Sequence, residues 1–73
     1  MVFNAIIEKD ENGYFAYVPE LKGCVSCGDS YEEAVFNIKE ATALYIESLD
    51  KKELDLLKSK TVIISPIEVA LSA

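Results

Sequence analysis

Two cysteines and five carboxylates are the residues whose types and spacing could do chemistry. Cys24 and Cys27 form a lone Cys-x-x-Cys. A structural zinc takes four ligands, and the chain has no second cysteine pair and no histidine. A redox dithiol places its first cysteine at a helix N-terminus. The run Cys24 to Cys27 (CVSC) instead reads as a short strand, where positions i and i+3 point to opposite faces and a disulfide is geometrically poor. Two packed or semi-exposed thiols are expected, with a metal bridge between subunits as the alternative. Glu8, Asp10, Glu11, Glu20 and Asp29 are the candidates for metal-nuclease carboxylates. That chemistry needs several carboxylates converging on ions about 4 Å apart. Glu8 ends a strand, while Asp10 and Glu11 lie in a polar turn, so solvated loop charge is the expectation. A negative rim that attracts a basic partner is the alternative use. The lack of histidine also removes the commonest general base and every Ser-His or Cys-His pair. No catalytic, metal or cofactor residue is therefore assigned.

The elements that must position these groups follow from pattern. Val2 to Glu8 (VFNAIIE) is apolar and β-branched enough for a strand. Lys9 to Gly13 is a polar turn ending in Asn-Gly, and Tyr14 to Val18 (YFAYV) is a second strand stopped by Pro19. Ser30-Tyr31-Glu32-Glu33 fits a helix capping box. A helix is expected from about Tyr31 to Leu49, with Ala34, Val35, Ile38, Ala41, Thr42, Tyr45 and Leu49 on its apolar stripe. Asp50 to Lys60 reads as a connector with one or two helical turns, and Thr61 to Ser65 (TVIIS) as a fourth strand. The expected fold is α+β, a two-layer β-β-β-α-β domain over residues 1–73, with an antiparallel meander and one packed helix. One helix covers one sheet face, yet both faces are apolar, so a second copy of the chain is expected to cover the other.

Composition narrows the function. The chain has 73 residues, of which 51% are hydrophobic, which is globular rather than disordered. Folding buries only about 60% of the surface of a chain this small, a further argument for self-association. Net charge is −6, with seven scattered lysines and no arginine. Direct nucleic-acid binding lacks its basic footprint. Asp29 to Asp50 carries a net −5, so the helix holds most of the negative field, suited to a basic partner. No apolar run approaches 18 residues, and Met1 leads into Val2-Phe3-Asn4 without a basic segment. The expectation is a cytoplasmic protein with reduced cysteines.

The run Gly13-Tyr14-Phe15-Ala16-Tyr17-Val18-Pro19-Glu20-Leu21-Lys22-Gly23-Cys24-Val25-Ser26 resembles the signature of HicB-like antitoxins. So do Gly28-Asp29-Ser30-Tyr31-Glu32-Glu33-Ala34 and Asn37-Ile38-Lys39-Glu40-Ala41. Lys22, where proline is usual, and Phe36, where a polar or small residue is usual, depart from it. The resemblance implies a partial ribonuclease-H-like fold and a module that neutralises a small basic HicA-type toxin, an mRNA-cleaving ribonuclease, by covering its catalytic histidine. Family members often add a C-terminal DNA-binding module; here the 24 residues after Leu49 are assigned to the last strand. Ribonuclease-H-type nucleases hold a key aspartate inside the first strand, where this chain has Asn4 and Ala5.

Candidate partner contacts are Phe36, Glu32, Glu40, Glu20, Asp10 and Glu11. Phe36 lies off the apolar stripe, among carboxylates, as an interface anchor would; its other reading is packing beneath the Asp50 to Lys60 connector. Tyr31 and Tyr45 fall on the stripe and are expected in the core. Three functions compete: a non-enzymatic toxin-neutralising module, a solitary homo-oligomer without a toxin, and a divergent metal-dependent nuclease.

Overall fold

The computed structural model describes residues 1–72. Three strands, β1 (Ile6–Asp10), β2 (Gly13–Tyr17) and β3 (Val25–Gly28), form an antiparallel sheet in the order β1-β2-β3. Helix α1 (Tyr31–Glu47) crosses one face, and a second helix, α2 (Lys51–Lys58), follows. The α+β class and the meander are as expected.

The first hairpin is tighter than the sequence pattern suggested. Asp10 pairs with Gly13, leaving Glu11 and Asn12 as the whole turn. The Asp10 carboxylate accepts from the Asn12 N–H at 2.8 Å, and Gly13 takes the positive φ of 127° that the turn requires. At the far end β1 begins at Ile6 rather than Val2, and the reason is Pro19. Ile6 pairs with Tyr17, so two residues further on Asn4 would face Pro19, which has no N–H to give. The Asn4 N–H is bound instead by Glu20 Oε2 at 3.2 Å. The ladder stops because the Asn4 carbonyl has no Pro19 N–H to accept from, and a side chain accepts the Asn4 N–H in place of a partner carbonyl.

The loop from β2 to β3 is closed by its own backbone. Val18 N–H donates to Cys24 O at 3.1 Å, and Leu21 and Cys24 N–H donate to Val18 O and Leu21 O, each at 3.0 Å. Gly23 supplies a φ of 81°. This geometry turns Val18, Leu21 and Cys24 inward, where they join Ala16, Ala34 and Ile38 as the buried core. Phe3, Ile7, Tyr14, Ala41, Tyr45, Ile46 and Leu57 pack around it.

Ser30 caps α1, its Oγ accepting from Glu33 N–H at 3.1 Å. The Glu33 carboxylate reaches back to the Asp29 N–H at 3.3 Å. Acidic Glu32 and Glu33 complement the positive helix end. A ring edge of the sheet is tied on by Asn37 Nδ2, which donates to Cys27 O at 2.8 Å. Two stripe positions divide: Tyr45 is half-buried, whereas Tyr31 is exposed, a correction to its expected place in the core. Tyr31 precedes the point where the helix meets the sheet, one turn before Ala34.

The connector carries helical turns, as expected. Asp50 and Glu53 form a complete capping box, at 2.8 Å and 3.2 Å, and start the two turns of α2. The fourth strand, Thr61 to Ser65, is absent among the described residues. A strand exists by its ladder. Lys60 N–H still donates to Leu57 O at 3.2 Å, but Thr61 and Val62 then run beside Met1 to Asn4, outside the paired part of β1, and no backbone bond is made from Thr61 onward among the described residues.

Gly28 and Gly23 give contrasting predictions. A Cβ on Gly28 would lie 2.6 Å from the Ala34 backbone N, so Gly28→Ala should cost about 2 kcal/mol or more in urea unfolding. A Cβ on Gly23 meets nothing, so Gly23→Ala should cost only its left-handed φ, about 1 kcal/mol. Loss of the ladder substitute in Glu20→Ala should cost about 1 kcal/mol and raise amide exchange at Asn4 ahead of the rest of β1.

Candidate functional site

Residues opposite one another in an antiparallel pair share a face. Ile7, Ala16 and Ser26 face α1, together with Lys9, Tyr14 and Gly28. The other face carries Ile6, Tyr17 and Val25 in one row and Glu8, Phe15 and Cys27 in the next. Among the described residues, no element covers it. Phe15 is 43% and Val25 51% exposed, and the Phe15 and Tyr17 rings stand 5.8 Å apart. Both sheet faces are therefore apolar, as the alternation implied.

The two cysteines separate by this same parity. Cys24 is buried and Cys27 is exposed, and both are free thiols. Cys24 Sγ lies 3.7 Å from Thr42 Oγ1. The Thr42 hydroxyl proton already goes to Ile38 O at 2.7 Å, so the thiol is the donor between them. Cys24 is thus a packed link between the β2–β3 loop and α1.

The candidate contact residues fall into three places. Glu32, Phe36 and Glu40 are all exposed and follow one another at four-residue steps along α1. Such a row is a continuous ridge. At about 100° per residue it lies opposite Ala34, Ile38 and Tyr45, which face the sheet. Phe36 is 63% exposed, so it does not pack beneath the segment from Asp50 to Lys60. Leu44, also 63% exposed, extends the ridge by one more turn. Its signal was in the sequence as the next four-residue step after Phe36 and Glu40, outside the apolar stripe.

Asp10 and Glu11 sit at the β1–β2 hairpin, both exposed. Gly13 and Gly28 are adjacent there, a Cβ on Gly13 lying 3.1 Å from Gly28 O, so the hairpin and the acidic start of α1 share one end of the sheet. Asp29, Glu32 and Glu33 contribute to the same end. Glu20 is at the opposite end of β2. It is half-buried, with Oε2 on the Asn4 N–H and Oε1 shut from solvent without a hydrogen-bond partner. Its carboxylate is turned into the fold, unlike those of the ridge. Among the described residues, no three acidic or cysteine side chains gather as a metal site would require. No helix among them is long and apolar enough to cross a membrane.

A groove of about 680 Å³ runs between α1 and the segment leading into β1. Phe3, Ala5, Val35, Ile38 and Ile46 line it, and Lys39 is its one charged side chain. The sequence reading missed it, because it arises from the late start of β1.

Comparison with known proteins agrees with the pattern of residues. The family model for the HicB-like antitoxin of bacterial toxin-antitoxin systems matches residues 3–68. A UPF0150 protein of Helicobacter pylori is 63% identical over 70 residues, covering 96% of this chain and 97% of its own length. A UPF0150 protein of Synechocystis is 43% identical over 68 residues, covering 92% and 85%. An uncharacterized 14.9 kDa protein from the rep-hol intergenic region of Haemophilus phage HP1 is 39% identical over 62 residues, and the match covers 85% of this chain but only 47% of the phage protein. No solved structure matches. With a family match that begins at Phe3 and runs through the sheet and both helices, the chain belongs to the HicB-like antitoxin family.

Proposed function

We propose that residues 1–73 act as one non-enzymatic antitoxin unit that binds a small basic HicA-type toxin and blocks its RNA-cleaving site. The observation that carries this reading is the family match over residues 3–68. The physical surface supports it. The net charge of −6 is concentrated on α1 and the neighbouring hairpin, and this field draws in a cationic RNA-binding face. Glu32, Phe36 and Glu40 form the contact centre: an aromatic ring for a partner pocket, flanked by two carboxylates for lysine or arginine. Asp10 and Glu11 add to the steering field from the hairpin, and Glu20 adds charge from the other end of β2. Inhibition is by occlusion and needs no chemistry in this chain. The same reading includes a partial ribonuclease-H-like arrangement of sheet and α1, a cytoplasmic location, and self-association of the antitoxin.

The test is co-expression with a HicA-type toxin encoded beside this chain, followed by RNA cleavage with the purified pair. Relief of growth arrest and silenced cleavage support the reading; unaltered cleavage at saturating antitoxin refutes it. Phe36→Ala should weaken that complex by about 2 kcal/mol, while urea stability shifts by no more than about 0.5 kcal/mol. Glu32→Lys with Glu40→Lys should slow association roughly tenfold at low salt, and the difference from the native chain should vanish near 0.5 M salt, where the Debye length is only about 4 Å. Stopped-flow mixing reads both.

A further inference from the structure

The chain exposes more surface than its size accounts for. Its accessible area is 6012 Å², about 1,500 Å² more than the roughly 4,500 Å² expected of a folded chain of this mass. Its radius of gyration is 14.6 Å, against about 11 Å for a compact chain of this length. The segment after α2 contributes to this excess. Ile63, Ile67, Val69 and Leu71 are between 69% and 90% exposed, and Ile64 is 50% exposed. A run so rich in β-branched side chains, with its backbone unpaired, has the composition of a strand without a sheet.

The complementary surface is the apolar groove between α1 and the segment leading into β1, lined there by Phe3 and Ala5. No residue after Ile46 lines it, so the chain's own tail leaves it open. It lies where a further strand alongside β1 would place its inward side chains. Laying the tail flat over the outer sheet face would bury its amides unpaired, whereas the free edge of β1 satisfies them. Charge fits as well: Lys39 is the one charge of the groove, and Glu68 the one charge from Thr61 to Ser72.

We infer that residues 61–71 are an exchange arm, taken up by a second copy of this chain along its β1 edge, with the exchange reciprocal. Eleven extended residues reach about 36 Å, twice the length of β1. Val62 and Ile64 enter the partner copy's groove, and Glu68, on the same side of the extended arm, comes toward Lys39. Pro66 is tolerated because an added edge strand turns alternate amides to solvent. The surplus of about 1,500 Å² exceeds the roughly 800 Å² per partner of a stable interface. The Glu32–Phe36–Glu40 ridge lies elsewhere on α1 and stays free. This inference rests on the self-association part of the proposed function and not on the toxin.

The experiment is the solution mass of the full chain by light scattering at about 100 μM, well above a micromolar dissociation constant. The expected result is a dimer. Ile63→Pro, which removes an arm amide on the side facing β1 without touching the folded core, should raise the dissociation constant at least about 100-fold with an unchanged circular dichroism spectrum. Phe36→Ser should leave the mass unchanged. A monomeric full chain would overturn both the arm and self-association. A dimer indifferent to Ile63→Pro would overturn the arm alone.

Discussion

The structure depends on one close approach, that of the start of α1 to the end of β3. Gly28 has no side chain, and Ala34 and Glu33 occupy the space a Cβ would need. The contact brings the Ser30 cap, the Glu33 bond to Asp29 and the Asn37 bond to Cys27 into one short stretch. It fixes where the helix begins and its angle over the sheet. Once α1 is set there, Ala34 and Ile38 fall on Ala16, and the Cys24–Thr42 contact closes the other side. The alanines matter for the same reason as the glycine. Ala16 and Ala34 are fully buried and small, so the layers approach closely at the centre, and larger side chains are kept to the margins.

That geometry also determines what is left uncovered. A core of six buried residues is small, and one helix shields one face of three strands. The apolar surplus appears in three forms: the outer sheet face with Phe15 and Val25, the groove beside β1, and the arm after α2. A chain with 51% hydrophobic residues and a surface this open leaves apolar area that a partner could bury.

The parts legible in the sequence were those set by neighbours along the chain. The tight hairpin before Tyr14, the stop at Pro19, the Ser30 cap and the Ala34–Ile38–Tyr45 stripe each follow from local chemistry, and the structure has all four, with Glu11 and Asn12 as the turn and Gly13 paired in β2. What escaped was set by register. The strand beginning at Val2 is lost because Asn4 would face Pro19, which is visible only once Ile6 is known to pair with Tyr17. The strand at Thr61 has every local mark of one and lacks a partner within its own chain. The second helix lay between these cases: one or two helical turns were legible between Asp50 and Lys60, while the capping-box spacing of Asp50 and Glu53 that starts them shows only in the structure. Of the surface residues, Phe36 was legible because its apolar ring breaks the polar side of a periodic helix. The inward turn of Glu20 was not, because the N–H it accepts from belongs to Asn4, sixteen residues earlier in the chain.

Charge and apolar surface are kept apart on α1, and the separation has a physical consequence. The ridge from Glu32 to Glu40 carries carboxylates around a single exposed ring, while the flank toward the groove carries Val35, Ile38 and Ile46 with only Lys39 charged. A cationic partner gains from the first and would lose by desolvating itself against the second. A second copy of this acidic chain meets the reverse condition, since approach along the ridge sets carboxylate against carboxylate, whereas approach along the groove meets neutral surface and a lysine. One helix thus offers two surfaces that select for opposite kinds of partner, and occupation of either leaves the other open.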